Sequence, residues 1–150
     1  MKISIYAEPS ILAEVKAILN HPMSWWVDFK FVRKPELADF KIYLRSGQFI
    51  SNRCGFSPSK KLSCASRKTM EIFIDVDRWN FGSDKVSYSL AQYRTYLINH
   101  EVGHLLGLNH EKPTVGLPCP VMHQQTLGLY GALPNVFPLI HEQISLLTYV

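Results

Sequence analysis

The sequence predicts an α+β fold: a small mixed, twisted sheet, a helix packed on it, and a second, longer helix that carries the chemistry. Three observations predict it. Residues 2–44 run through strand, helix, strand and strand patterns in that order. Residues 89–106 hold one long helical pattern. Leu139, Ile140, Ile144, Leu146 and Leu147 are spaced as a closing helix over residues 138–149. With 150 residues, 47% of them hydrophobic, the chain is expected to form a single domain over residues 1–150 with a sizeable core.

Residues 2–7 alternate like a strand. Pro9 and Ser10 open a helix over residues 11–19, proline being tolerated in a first turn, and Asn20-His21-Pro22 ends it. Residues 25–32 are aromatic and β-branched, the composition of a second strand, and residues 40–44 make a third after a turn at 35–38. Gly47, Gly55, Pro58 and several serines mark most of residues 45–67 as loop, with a short edge strand near 61–65. Residues 70–76 alternate with their apolar side chains in register and form the best strand in the chain. Paired antiparallel with it, the short strand becomes an exposed edge beside the long helix, able to hold an extended peptide by strand addition. Residues 77–83 read as a turn.

The long helix contains HEVGHLLGLNH at residues 100–110. Residues four apart on a helix lie one above the other, so His100 and His104 present their imidazoles from one face to one metal ion. Glu101 follows about 100° round the helix, where it reaches the reacting water without binding the metal. Gly107 can take the left-handed conformation that closes a helix, which turns the chain and brings in His110 from another direction. Three neutral imidazoles suit a tetrahedral zinc with its fourth position open. Five fixed positions of this kind coincide by accident in fewer than about one chain in 10⁴. The competing readings are histidines that are only polar surface or core groups, and a structural zinc, which normally has four protein ligands. Tyr93 and Tyr96, at helical spacing before His100, read as core. His123 and His141 read as polar or structural residues.

The formal net charge is +4, unevenly spread. Lys41, Arg45, Arg53, Lys60, Lys61, Arg67 and Lys68 fall between Phe40 and Met70, with no acidic residue among them. The plain reading is a solvated loop; the sharper one is a surface for an acidic substrate beside the active site. No recognition module accompanies the charge, so no nucleic-acid partner is expected. No run approaches the roughly 18 apolar residues of a membrane span, and the start lacks the pattern of a signal peptide. No membrane partner is expected, and an intracellular location is favoured over export. Three cysteines, Cys54, Cys64 and Cys119, are too few for a disulfide framework. Cys54 and Cys64 could close a small loop in an oxidising compartment; free thiols are favoured.

Residues 100–110 fit HExxHxxGxxH, and Pro120-Val121-Met122-His123 looks like a downstream Met-turn; together they resemble the metzincin metalloproteases. The resemblance implies a compact metzincin-like zincin domain, with His100, His104 and His110 as zinc ligands, Glu101 as general base and Met122 as the apolar floor beneath the imidazoles. A narrower likeness, to an uncharacterised bacterial family of metzincin-like proteins, rests on residues 75–79, 93–99 with the zinc motif, 120–129 and 134–138. Glu111 and His123 are similar to the astacin branch, but Gln124 stands where that branch has a metal-touching tyrosine, and the cysteine pattern of the archaemetzincin branch is missing. No pro-segment is visible before the first strand.

The expected activity is therefore that of a zinc metalloendopeptidase acting on extended peptides or proteins as a monomer with one catalytic Zn2+. Gln124 and Gln125 are candidates for stabilising the oxyanion. The alternatives are a zinc-containing module that binds peptides without cutting them, and a zinc amidase acting on a non-protein amide.

Overall fold

The computed structural model describes residues 1–147. Alternation in the first strand, β1 (Lys2–Ala7), becomes burial: Ile3, Ile5 and Ala7 enter the core and their neighbours do not. A parallel partner for β1 needs a crossover. Helix α1 (Pro9–Leu19) supplies it, burying Ile11, Val15, Ile18 and Leu19 along one stripe before the chain returns as β2 (Asp28–Phe31). The next strand, β3 (Phe40–Arg45), pairs with the other side of β1, and β5 (Glu71–Asp75) pairs with β3, both parallel. Strand β4 (Cys64–Ser66) closes the sheet as its only antiparallel member, Ala65 opposite Ile72, giving the order β2-β1-β3-β5-β4. The fold is thus α+β with a mixed sheet, and the short strand is an edge, as expected.

Four expectations need correction. The second strand is shorter than residues 25–32: Trp25 lies outside it, buried, with its indole donating to the Asn99 carbonyl at 2.9 Å. The supposed loop 45–67 contains a helix, α2 (Gly47–Cys54), started by Ser46, whose hydroxyl accepts from Phe49 N, and stopped by Gly55 at φ 82°. It escaped notice because it buries only Ile50, so it has no apolar stripe. The supposed turn at 77–83 is mostly helix α3 (Val76–Phe81); buried Asp75 caps it by accepting from Asp77 N and Arg78 N. Finally, Cys54 and Cys64 are joined as a disulfide where free thiols were favoured, because α2 ends beside the edge strand; Cys119 is free and buried.

Two further α-helices follow, α4 (Leu90–Leu105) and α5 (Ile140–Leu147). The last three residues of the expected closing helix lie outside them. Helices α1, α4 and α5 share one core with the sheet, and Tyr93 and Tyr96 are buried in it. Among the described residues no helix is long and apolar enough to cross a membrane.

Candidate metal centre

Helix α4 is defined at both ends by local chemistry. Ser89 and Gln92 form a reciprocal capping box, the Gln92 N–H donating to Ser89 Oγ and the Ser89 N–H to Gln92 Oε1. At the other end the Gly107 N–H donates to His104 O and the Leu108 N–H to Gly103 O, with Gly107 at φ 103°. This double bond pattern closes a helix around a left-handed residue, which glycine adopts without a Cβ penalty. The chain therefore reverses after two turns of histidine-bearing helix and returns with His110.

The three imidazoles converge. Their candidate ligand atoms all lie within 4.8 Å of one another, and they could hold a metal ion. His100 is buried, His104 half-buried and His110 exposed. His100 Nδ1 lies 2.7 Å from the Val121 carbonyl and His104 Nδ1 2.9 Å from that of Leu108. A carbonyl can only accept, so each Nδ1 carries the proton and each Nε2 keeps its lone pair for a cation. The Nε2 atoms of His104 and His110 are 3.1 Å apart. Two imidazole nitrogens on one tetrahedral ion at bond lengths of 2.0–2.1 Å stand about 3.3 Å apart, so this pair fits such an ion, and His100 completes a set of three neutral nitrogen donors around it. Burial holds the His100 pKa well below its ordinary value, lowers that of His104 to about 4, and lowers that of His110. All three are therefore neutral, the form that binds metal.

Glu101 sits beside them, buried, with Oε1 4.0 Å from His100 Nε2. Its Oε2 is the one buried side-chain polar atom without a hydrogen-bond partner among the described residues, and burial pushes its pKa up to about 8. An orphaned carboxylate oxygen is costly, and this one belongs to a residue that lines a cleft. The cleft encloses about 340 Å³ over the histidines and Glu101, with Cys64 and Ala65 of the edge strand, Arg67, Asn109 and Gln124 also lining it. Gln125 does not belong to it, against expectation. Its side chain is fully buried, donating to the Pro120 and Asn135 carbonyls and accepting from Tyr88 Oη. His123 Nε2 is 2.8 Å from the Gly128 carbonyl and His141 Nε2 2.7 Å from Glu111, so neither joins the cluster.

Met122 lies in a turn closed by the His123 N–H donating to Pro120 O. It packs against the middle of the histidine helix: a Cβ on Gly103 would stand 2.4 Å from Met122 Sδ and 2.8 Å from the Trp25 ring. Gly103 is thus small because a methionine and a tryptophan occupy its side-chain space. Sequence reading missed Glu142. It is 2% exposed, and its carboxylate accepts from Val121 N (3.1 Å), Met122 N (2.9 Å) and Leu139 N (2.9 Å). Since the Val121 carbonyl receives His100 Nδ1–H, Glu142 holds the turn that orients the first histidine. One signal was available: Glu142 is the third residue of α5 and reaches back to the N–H of the residue before the helix, half of a capping box. With leucine in place of a capping Ser or Thr, the motif does not announce itself.

Among solved structures, one of myroilysin is similar at 16% identity and a TM-score of 0.47, over 79% of this chain and 54% of that one, so the chain spans about half the length of that neighbour. No curated protein matches. A family match, to "Protein of unknown function (DUF3152)", extends over residues 2–139, from β1 to the residue before α5. Because that span holds the whole sheet, the three histidines, Glu101 and Met122, the chain belongs to the family described as Protein of unknown function (DUF3152).

Proposed function

We propose that this protein is a zinc-dependent metallopeptidase of the metzincin type, cutting extended peptides with His100, His104 and His110 as ligands and Glu101 as general base. The observation that carries the reading is the pairing of two unlike features at one point. Three neutral imidazoles converge with two Nδ1–H groups already committed to carbonyls, and a buried carboxylate oxygen with no partner stands beside them. Either alone has a structural explanation. Together they make a cation site with a base poised next to it, in a cleft open to substrate.

Zinc, when bound, would supply a Lewis acid that polarises the scissile carbonyl and acidifies water. The chain's own groups do the rest. Glu101 takes a proton at its unpartnered Oε2 as water attacks the carbonyl carbon, and then delivers it to the leaving amine nitrogen. The carbonyls of Val121 and Leu108 hold the first two imidazoles in one tautomer and orientation. Strand β4 pairs with β5 on one side only, and its Cys64 and Ala65 line the cleft, so an extended peptide can add to it and lie across the site. Gln124, which lines the cleft, is the remaining side-chain candidate for an oxyanion donor.

The test is digestion of a broad peptide library by the zinc-loaded protein, with products read by mass spectrometry and metal content measured alongside. Cleavage of internal peptide bonds, lost on chelation and restored by zinc, is expected. One zinc per chain with no cleavage of any peptide would overturn the peptidase reading.

A further inference from the structure

We infer that Arg67 is a specificity residue of the cleft and that the site takes peptides bearing a carboxylate beside the bond to be cut. The inference rests on the peptidase reading for its position but not for all of its test.

The basic residues between Phe40 and Met70 behave differently in the fold. Arg45 pairs with Glu8, Arg53 with Glu71 and Lys61 with Asp77, so each of these charges is largely answered within the chain. Arg67 has no acidic side chain within ion-pair distance among the described residues. It stands at the start of the turn from β4 to β5 and reaches across to the end of the histidine helix. Its Nε donates to His104 O at 2.7 Å, and its Nη2 donates to Leu108 O at 2.6 Å and to Asn109 Oδ1 at 3.1 Å. Nη1 takes part in none of these bonds.

Three consequences follow from that placement. First, the guanidinium is held rigidly, so binding an anion costs little further side-chain entropy. Second, it lines the cleft together with His104, Asn109 and His110, and it is the one permanently charged side chain of that lining. The only other group there that could carry a lasting charge is Glu101, which is buried. Third, Nη1 keeps two donors in the planar geometry that recognises carboxylate oxygens. A residue needed only to cap the helix carbonyls would account for Nε and Nη2; as the one basic side chain of the lining, Arg67 also adds a fixed positive charge beside the metal site, which disfavours basic substrates and favours acidic ones.

A carboxylate can come from an Asp or Glu side chain or from a free C-terminus, and the experiment separates the two. Peptide pairs identical except for Glu against Gln at successive positions, and pairs with free against amidated C-termini, are digested by the wild-type protein and by Arg67→Gln and Arg67→Lys. The wild type is expected to favour the acidic member of one class roughly ten- to hundredfold in kcat/KM, the worth of one charge-assisted hydrogen bond. Arg67→Gln should bring that ratio close to one, and Arg67→Lys should keep part of it. Zinc content and thermal midpoint of each variant are measured in parallel. A wild-type ratio near one in every pair, or a preference that survives in Arg67→Gln, overturns the assignment and leaves the peptidase reading standing. If no peptide is cleaved at all, the peptidase reading fails separately. Calorimetric binding of the same pairs to zinc-loaded protein, wild type against Arg67→Gln, still decides on Arg67: selective loss of affinity for the acidic member supports it, and equal affinities overturn it.

Discussion

A buried carboxyl oxygen without a hydrogen-bond partner is costly, and Glu101 Oε2 is such an atom. Burial raises the pKa of Glu101 to about 8, so without a neighbouring cation it holds its proton at neutral pH. A cation held by the histidines would favour the ionised form, the form a general base needs. Glu101→Gln keeps the shape and removes the basicity. It is expected to leave zinc content at one per chain while lowering kcat by about 10²–10⁴-fold, checked by metal analysis and peptide turnover. Unchanged turnover would remove Glu101 from the mechanism. Gly103 makes a second point at this scale. In HEVGH the two middle positions are free in the motif, yet here one is dictated by Met122 and Trp25 pressing against the helix.

At the level of elements, the site is held by a helix, a turn and a second helix that meet through a few buried polar bonds. Glu142 of α5 accepts from the N–H groups of Val121 and Met122, and the Val121 carbonyl accepts from His100. A neighbouring set of bonds ties the same elements on another side. Gln143 Nε2 donates to the Ser24 carbonyl, Ser24 Oγ to Asn99 Oδ1 and Trp25 Nε1 to the Asn99 carbonyl, one residue before His100. Glu142→Gln presents an amide NH₂ to backbone donors and leaves at least one of them unpaired, at a cost of about 1–3 kcal/mol. The expected result is a lower thermal midpoint together with zinc affinity weakened by about ten- to a hundredfold, as befits the loss of an outer contact that orients a ligand. A chelator-competition titration measures the second effect, and an unchanged affinity would show that the turn does not govern His100.

On the scale of the whole molecule, the cluster ties stability to pH. In the zinc-free protein the folded pKa values of His100, His104 and His110 lie below the ordinary 6.5, so the unfolded chain binds protons that the folded one refuses. Their contribution is complete above about pH 6.5 and is lost as the pH falls, for His104 through about 4. Glu101 and Glu142 act the other way: both are raised, so their contribution is present below the ordinary carboxylate value and is lost as the pH rises, for Glu101 through about 8. Below pH 6.5 the imidazoles draw stability down as the pH falls, and above it Glu101 draws it down as the pH rises. Thermal unfolding of zinc-free protein is therefore expected to peak near pH 6.5 and to fall on both sides. Zinc should raise the midpoint and flatten the alkaline side, since it binds only the folded cluster and favours ionised Glu101. A midpoint that rises steadily from pH 6.5 to 4 would contradict neutral imidazoles in the folded protein.

The sequence by itself determined what depends on neighbours a few residues away. The alternation of β1 and β5, the i, i+4 histidines and the closing glycine at 107 are all local, and so the long helix and the return of His110 were legible. The short helices α2 and α3 were not, because neither carries an apolar stripe and each is held by a cap and by contacts from elsewhere. Only the tertiary structure decided that Cys54 meets Cys64, that Gln125 is locked in the core while Gln124 faces the cleft, and that Glu142 holds the turn beneath the histidines. The disulfide weighs against the expected intracellular location, since such bonds persist in oxidising compartments. These outcomes rest on pairs as far as 37 residues apart in the chain, such as Cys54 with Cys64, Val121 with Glu142 and Tyr88 with Gln125. No local periodicity encodes them: a buried polar group takes whichever partner the packed core brings within reach.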